Sequence, residues 1–171
     1  MAERKGIVTF RGNPLTLLGP ALKAGQPAPE ARLLANDLSE KAISSYRGKV
    51  VILSAVPSLD TAVCDLQTHK FNEQAQALGP DVVVVTVSMD LPFAQKRWCG
   101  ASGLSQVVTV SDHREASFGQ AYGVLVKELR LLARSVFVVD RQGVIRYVQI
   151  VNEMTQEPDY AAALKAAKGL L

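Results

Sequence analysis

The run Asp81-Val-Val-Val-Val-Thr-Val-Ser88, bounded upstream by Gly79-Pro80, constrains this chain more than any other stretch. Six β-branched residues in succession between breakers read as a strand buried on both faces, a central and parallel one. A second apolar run, Val50-Val-Ile-Leu-Ser-Ala-Val56, precedes it. Between the two, Val63, Leu66, Phe71, Ala75 and Leu78 recur at roughly helical spacing, with Gln67, Lys70, Glu73 and Gln74 among them. That pattern predicts a helix over about 62–78. Strand, helix, strand is the beginning of an α/β fold.

The remaining elements follow from similar signals. Ile7–Phe10 and Leu15–Leu18 flank the turn cluster Arg11-Gly-Asn-Pro14 and predict an N-terminal hairpin over about 7–18. An extended connector punctuated by Gly25, Pro27 and Pro29 leads to a short strand near Arg32–Leu34, and the first long strand is expected over Lys49–Val56. Leu91-Pro92 opens a second helix that carries Trp98 and Cys99 and frays at Gly100 and Gly103. Val107–Val110 is a strand, and Ser111-Asp112 is expected to cap a helix reaching Tyr122. Residues 124–132 read as a loop. Ser135–Val139 and Val144–Val151 form a hairpin around Asp140-Arg-Gln-Gly143. A last helix covers Asp159–Lys168, with Pro158 in its first turn and Gly169 at its end. Periodicity supports an α/β class with a mixed sheet, in one domain over 1–171.

Composition narrows the function classes. Net charge is +3, and the basic residues are interspersed with acidic ones, so no nucleic-acid footprint is visible. No apolar run has the length of a membrane span or of a secretory leader, which points to a cytoplasmic protein with no membrane partner. Cys64, Cys99, His69 and His113 lack zinc-finger spacing, and there is no C-x-x-C. In a reducing compartment, two such thiols are either inert or catalytic rather than a permanent bridge.

Pro57, Thr61 and Cys64 stand where the first strand gives way to the helix, in the pattern P-x-x-x-T-x-x-C. The thiol thus falls near a helix N-terminus. This pattern resembles the active-site signature of the peroxiredoxins, and Arg134, just ahead of the Ser135 strand, resembles the arginine that completes such a site. With Cys99 on the second helix and the N-terminal hairpin, the chain is similar over nearly its whole length to the thiol peroxidase branch, an atypical two-cysteine group. The resemblance implies a thioredoxin-like sandwich: a central mixed sheet flanked by helices, with the hairpin appended.

It also implies a chemistry. Cys64 is the peroxidatic residue, attacking the O–O bond of hydrogen peroxide or an organic hydroperoxide as a thiolate. Its sulfenic acid is resolved by Cys99 as a redox-active disulfide, which thioredoxin reduces. No metal, haem or flavin is implied, and the family suggests a homodimer. The substrate is a small peroxide entering a shallow apolar pocket. Bringing a thiol from its ordinary pKa of about 8.5 to about 6 takes roughly 3.4 kcal/mol. A helix N-terminus supplies about 0.3–1 kcal/mol and at most about 2. A cation and hydrogen bonds must add to it, which is the part implied for Arg134. Thr61 would donate to the sulfur and accept from the peroxide, and Pro57 would shield the sulfur from water. Because the two cysteines belong to separate helices, the first turn around Cys64 and the end of the Cys99 helix are expected to unwind for the bridge to form.

Simpler roles exist for the same residues. Cys99, beside Trp98, could be a core thiol, leaving a one-cysteine enzyme resolved from outside. Thr61 could be only an N-cap, and Arg134 a surface ion-pair partner. His69 and His113 read as structural or solvated, which disfavours a Cys-His hydrolase. A non-catalytic redox sensor or holdase could use the same disulfide, whereas a general disulfide oxidoreductase is disfavoured by the missing C-x-x-C.

Overall fold

The computed structural model describes residues 1–104 and 107–171. Along these the chain forms β1 (Glu3–Phe10), β2 (Asn13–Leu18), β3 (Arg32–Leu34), β4 (Glu40–Ala42), a 3-10 turn (Ile43–Tyr46), β5 (Val50–Ala55), α1 (Ala62–Gln76) and β6 (Val82–Ser88). It continues with α2 (Pro92–Ser102), β7 (Val108–Ser111), α3 (Ser117–Ala121), β8 (Leu125–Val126), β9 (Ser135–Val139), β10 (Ile145–Ile150) and α4 (Tyr160–Lys168). The strands make a large sheet in the order β10-β9-β5-β6-β7-β3-β4 and a small one in the order β1-β2-β8. β5, β6 and β7 are parallel, while β9 runs antiparallel to β5, so the large sheet is mixed as expected.

Alternation along β5 explains how the layers assemble. Val50 and Ile52 face a cluster with Phe71 and Ala75 of α1 and Ala163 and Ala167 of α4. Val51, Leu53 and Ala55 face the opposite way, into a cluster with Phe118, Tyr122 and Leu125 and with Leu17 of the small sheet. A strand buried on both faces shows no alternation of polar and apolar positions, which is why β5 reads as an almost continuous apolar run broken only by Ser54. Among the described residues no helix is long and apolar enough to cross a membrane.

Four expectations need correction. The hairpin extends outward to Glu3, and β4 with the 3-10 turn had no counterpart in the sequence reading. The helix expected from Asp112 is only α3, because Ala116 at φ 52° breaks helical geometry. Asp112 nevertheless caps it from a distance, its carboxylate accepting from the N–H groups of Phe118 at 3.0 Å and Gly119 at 2.8 Å. Segment 124–132 is not all loop: Leu125 and Val126 are buried and pair with Leu18 and Leu17 as the third strand of the small sheet. Finally, α4 is capped by the Asp159 side chain, which accepts from Ala162 N–H at 3.0 Å, so Pro158 lies outside the first turn.

Candidate active site

The end of β5 decides where the chemistry-bearing residues meet. Ala55 pairs with Ser135 in the antiparallel β5–β9 register. Arg134, the residue before Ser135, therefore sits beside the point where β5 runs out into Val56 and Pro57. α1 starts immediately afterwards, with Thr61 at its N-cap position and Cys64 in its first turn. The sheet register thus brings together two residues 70 positions apart in sequence.

Cys64 is fully buried, with Val56, Leu59 and Trp98 packed around it. The expected shallow pocket above the sulfur is not open in this structure, because these apolar side chains cover it. Arg134 is also buried, only 2% exposed, so it is not a surface ion-pair partner. Its Nε and Nη2 donate to the Met154 carbonyl at 3.0 and 2.7 Å, and Nη1 donates to Gln67 Oε1 at 2.9 Å. The same Nη1 lies 3.4 Å from the Cys64 Sγ. Among the described residues Arg134 makes no ion pair with a carboxylate. A buried cation held only by neutral acceptors is costly, and an anion at Sγ would offset that cost. The guanidinium nitrogen is thus placed to balance negative charge that develops at the sulfur.

Gln67 and Ser54 complete this arrangement and were not anticipated. Gln67 lies three residues beyond Cys64, on the same helical face, and its Nε2 donates to Ser54 Oγ at 2.8 Å. Both are wholly buried. A signal was present: Ser54 is the one hydroxyl in the apolar run Val50–Val56, and Gln67 follows Cys64 at a facing interval. Met154 contributes only a backbone carbonyl, which no side-chain pattern announces.

The loop Pro57–Thr61 is fixed by Asp90, also unanticipated. Its carboxylate accepts from Ser58 Oγ at 2.6 Å, Leu59 N–H at 2.8 Å and Ser88 Oγ at 2.7 Å. Pro57 is buried at the head of this loop. Thr61 occupies the N-cap position but its side chain makes no capping bond; its Oγ1 donates to the Ser58 carbonyl at 3.0 Å. Two expectations fail together here. Thr61 is not a capping side chain, and its proton is committed to Ser58 rather than to the sulfur. The early N–H groups of α1 consequently have no side-chain cap, and helix geometry gives them no intrahelical partner.

Cys99 occupies a different neighbourhood. Its Sγ is 3.3 Å from Thr109 Oγ1 on β7 and 3.6 Å from Asn36 Nδ2 in the turn after β3. Both cysteines are free thiols. The strands that hold their partners, β9 and β5 for Cys64 and β7 for Cys99, are separated by β6, so the sulfurs cannot bond without movement. Trp98 bridges the two helices, donating to Asp65 Oδ1 at 2.8 Å, and His69 reaches the Ser102 carbonyl at 3.1 Å. His113 is tied locally through its N–H to Ser111 Oγ at 3.3 Å. Among the described residues no group of three or more His, Cys, Asp or Glu is placed to hold a metal ion.

The chain is similar to known proteins in both sequence and fold. Residues 23–164 match the Redoxin family. The thiol peroxidase of Bacillus subtilis is 54% identical over 164 residues, covering 96% of this chain and 98% of that protein. The thiol peroxidase of Halalkalibacterium halodurans is 56% identical over the same length and coverage. The crystal structure of a peroxiredoxin-like protein from Aquifex aeolicus superposes with a TM-score of 0.90 at 44% identity, over 98% of each chain. A thiol peroxidase from Chromobacterium violaceum shares the fold, with a TM-score of 0.86 over 95% of each chain at 18% identity.

Proposed function

Because the chain belongs to the redoxins and, within them, to the thiol peroxidases, it is a peroxiredoxin-type peroxidase, and we propose that Cys64 carries the reaction and Cys99 completes it. The observation that carries this reading is the 3.4 Å contact between Arg134 Nη1 and Cys64 Sγ, made by a buried guanidinium that has no carboxylate partner among the described residues.

In the proposed reaction the Cys64 thiolate attacks one oxygen of a hydroperoxide. An S–O bond forms, the O–O bond breaks, and the leaving oxygen takes up a proton to become water or an alcohol. Charge spreads over both oxygens in the transition state, where the N–H groups of Ala62, Val63 and Cys64 and the Arg134 guanidinium can stabilise it. Thr61, with its own proton directed at Ser58, presents lone pairs that can accept the peroxide O–H. Pro57, which has no N–H, adds an apolar wall that limits access of water. Peroxide reaches the sulfur when the cover of Leu59 and Trp98 opens.

Resolution is the second half of the proposal. Cys99 converts the sulfenic acid to a Cys64–Cys99 disulfide, after α2 and the first turn of α1 loosen locally, and thioredoxin reduces the bridge. A reductant of that kind places the protein in the cytoplasm, where thiols are kept reduced. A homodimer belongs to the same reading: Leu91 and Phe93, exposed at the start of α2 beside Asp90, offer apolar surface for a second copy.

The test is turnover. Peroxide consumption supported by thioredoxin, thioredoxin reductase and NADPH should be abolished in Cys64→Ser. Cys99→Ser should retain one round of peroxide reduction and lose cycling. Mass spectrometry after one equivalent of peroxide should find the Cys64–Cys99 bridge, and undiminished cycling in Cys99→Ser would refute the role of Cys99.

A further inference from the structure

Cys99 is held by a closed ring of hydrogen bonds. Thr109 Oγ1 donates to Asn36 Oδ1 at 3.0 Å, and Asn36 Nδ2 donates to Cys99 Sγ at 3.6 Å. The Thr109 hydroxyl has one proton and spends it on Asn36, so in its 3.3 Å contact with the sulfur it is the acceptor and Cys99 S–H the donor. Each of the three side chains gives one hydrogen bond and takes one. Such a cycle is satisfied only while all three members are in place, and its bonds reinforce one another.

The ring joins three separate elements: α2, β7 and the turn between β3 and β4. Its other members stand on β7 and in the turn after β3, whereas Trp98, the residue next to Cys99, packs against Cys64. Cys99 must leave this ring before its sulfur can approach Cys64. The ring also depends on the thiol hydrogen of Cys99, which a disulfide lacks, so it can form only in the reduced protein.

We propose that Asn36 and Thr109 are positioning residues that clasp reduced Cys99 and thereby set the rate at which the disulfide forms. The inference rests on Cys99 acting as the resolving thiol. The step it governs is Cys64–S–OH plus Cys99–S–H giving Cys64–S–S–Cys99 plus water. The S–O bond breaks, the S–S bond forms, the sulfenic sulfur is reduced and the thiol sulfur oxidised. The hydroxyl leaves with the Cys99 proton. Since the clasp stabilises the closed state and is absent from the open one, weakening it raises the population that can react. A longer-lived sulfenic acid is also one exposed for longer to a second peroxide, which drives it to sulfinic acid. The clasp therefore sets a balance between bridge formation and over-oxidation.

The experiment follows two signals. Trp98, the single tryptophan, reports bridge formation by stopped-flow fluorescence as a phase whose rate does not depend on peroxide concentration. In a Cys64→Ser background, alkylation of Cys99 by iodoacetamide reports release from the ring without any redox step. Thr109→Val removes the hydroxyl at constant shape, and Asn36→Asp removes the Nδ2 donor. Both should accelerate bridge formation and alkylation by about three- to tenfold, the range expected for losing one neutral hydrogen bond. The sulfinic fraction at high peroxide should fall in step. Thr109→Ser, which retains the hydroxyl, should return the parent rates. Val110→Ala, which loosens β7 without touching the ring, should leave alkylation at the parent rate. Unchanged alkylation in Thr109→Val, or acceleration equalled by Val110→Ala, would overturn the clasp. Faster alkylation with no bridge detectable in the parent would retain the clasp and overturn the resolving role of Cys99.

Discussion

Arg134 Nη1 lies 2.9 Å from Gln67 Oε1 and 3.4 Å from Cys64 Sγ, so one nitrogen joins the helix that carries the thiol to the residue that leads into β9. The Met154 carbonyl accepts from the other two guanidinium nitrogens, Nε and Nη2. The guanidinium is therefore fixed from three directions before any substrate arrives, and a fixed donor needs no reorganisation when charge moves onto the peroxide.

Replacing Arg134 by Met should lower the second-order rate with hydrogen peroxide by about ten- to hundredfold, since a hydrogen bond to a charged group is worth about 1.5–3 kcal/mol and 1.36 kcal/mol is a factor of ten. Arg134→Lys should fall between Met and the parent, because one ammonium group cannot span Met154, Gln67 and the sulfur at once. Stopped-flow oxidation followed through Trp98 measures all three. Equal rates for Lys and Arg would show that charge alone is required and that the forked geometry is not.

Thr61→Val separates chemistry from capping. The hydroxyl is exposed and bonds to the Ser58 carbonyl rather than to an α1 N–H, so its loss should cost under about 1.5 kcal/mol of stability in urea. Peroxide reactivity should fall by about a hundredfold or more if the oxygen accepts the peroxide proton. A reactivity loss no larger than the stability loss accounts for would remove Thr61 from the reaction.

Asp90 tests whether the loop needs an anchor. Asp90→Ala leaves the buried Leu59 N–H without its partner and frees Ser58, which should destabilise the protein by about 1–3 kcal/mol. The Pro57–Thr61 loop positions Thr61, so the rate of Cys64 oxidation should drop about tenfold as well. Urea unfolding and peroxide kinetics on one preparation check both. A stability loss with an unchanged oxidation rate would show that the loop holds its geometry unaided.

The sheet and the thiol were legible in the sequence for different reasons. Val50–Val56 and Asp81–Ser88 declare themselves because burial on both faces leaves them mostly apolar and β-branched, and glycine and proline mark their boundaries. Cys64 was visible because its motif is local. Ser54 and Gln67 leave only a weak trace, a lone hydroxyl in an apolar run and an amide at a facing interval from Cys64, and Asp90 leaves none, since each acts through a partner fixed by tertiary register. The extent of α3 was hidden for a related reason. Whether Asp112 begins a helix or reaches across a turn to Phe118 and Gly119 depends on Ala116 adopting a positive φ.

His69 makes the junction of the two cysteine-bearing helices sensitive to pH. Its Nδ1 lies 3.0 Å from the Asp65 carbonyl and its Nε2 3.1 Å from the Ser102 carbonyl, at the last residue of α2. Both neighbours are acceptors, so only the imidazolium, with two N–H donors, satisfies both. The Asp65 carbonyl is the leading cause that raises the His69 pKa; burial opposes it, and the Ser102 carbonyl and the Asp65 and Glu73 carboxylates add to the rise. A histidine whose pKa is higher folded than unfolded contributes stability that is fully present below the unfolded value, about 6.5. That contribution is lost as pH rises through the folded value. The advantage of the parent over His69→Asn in urea should therefore be largest near pH 5.5 and shrink toward pH 8.5. Because Ser102 closes the helix that carries Cys99, alkylation of Cys99 in a Cys64→Ser background should gain less from His69→Asn at high pH than at low pH. A stability difference between parent and variant that stays constant across this range would show that the imidazole acts by packing against Trp98 alone.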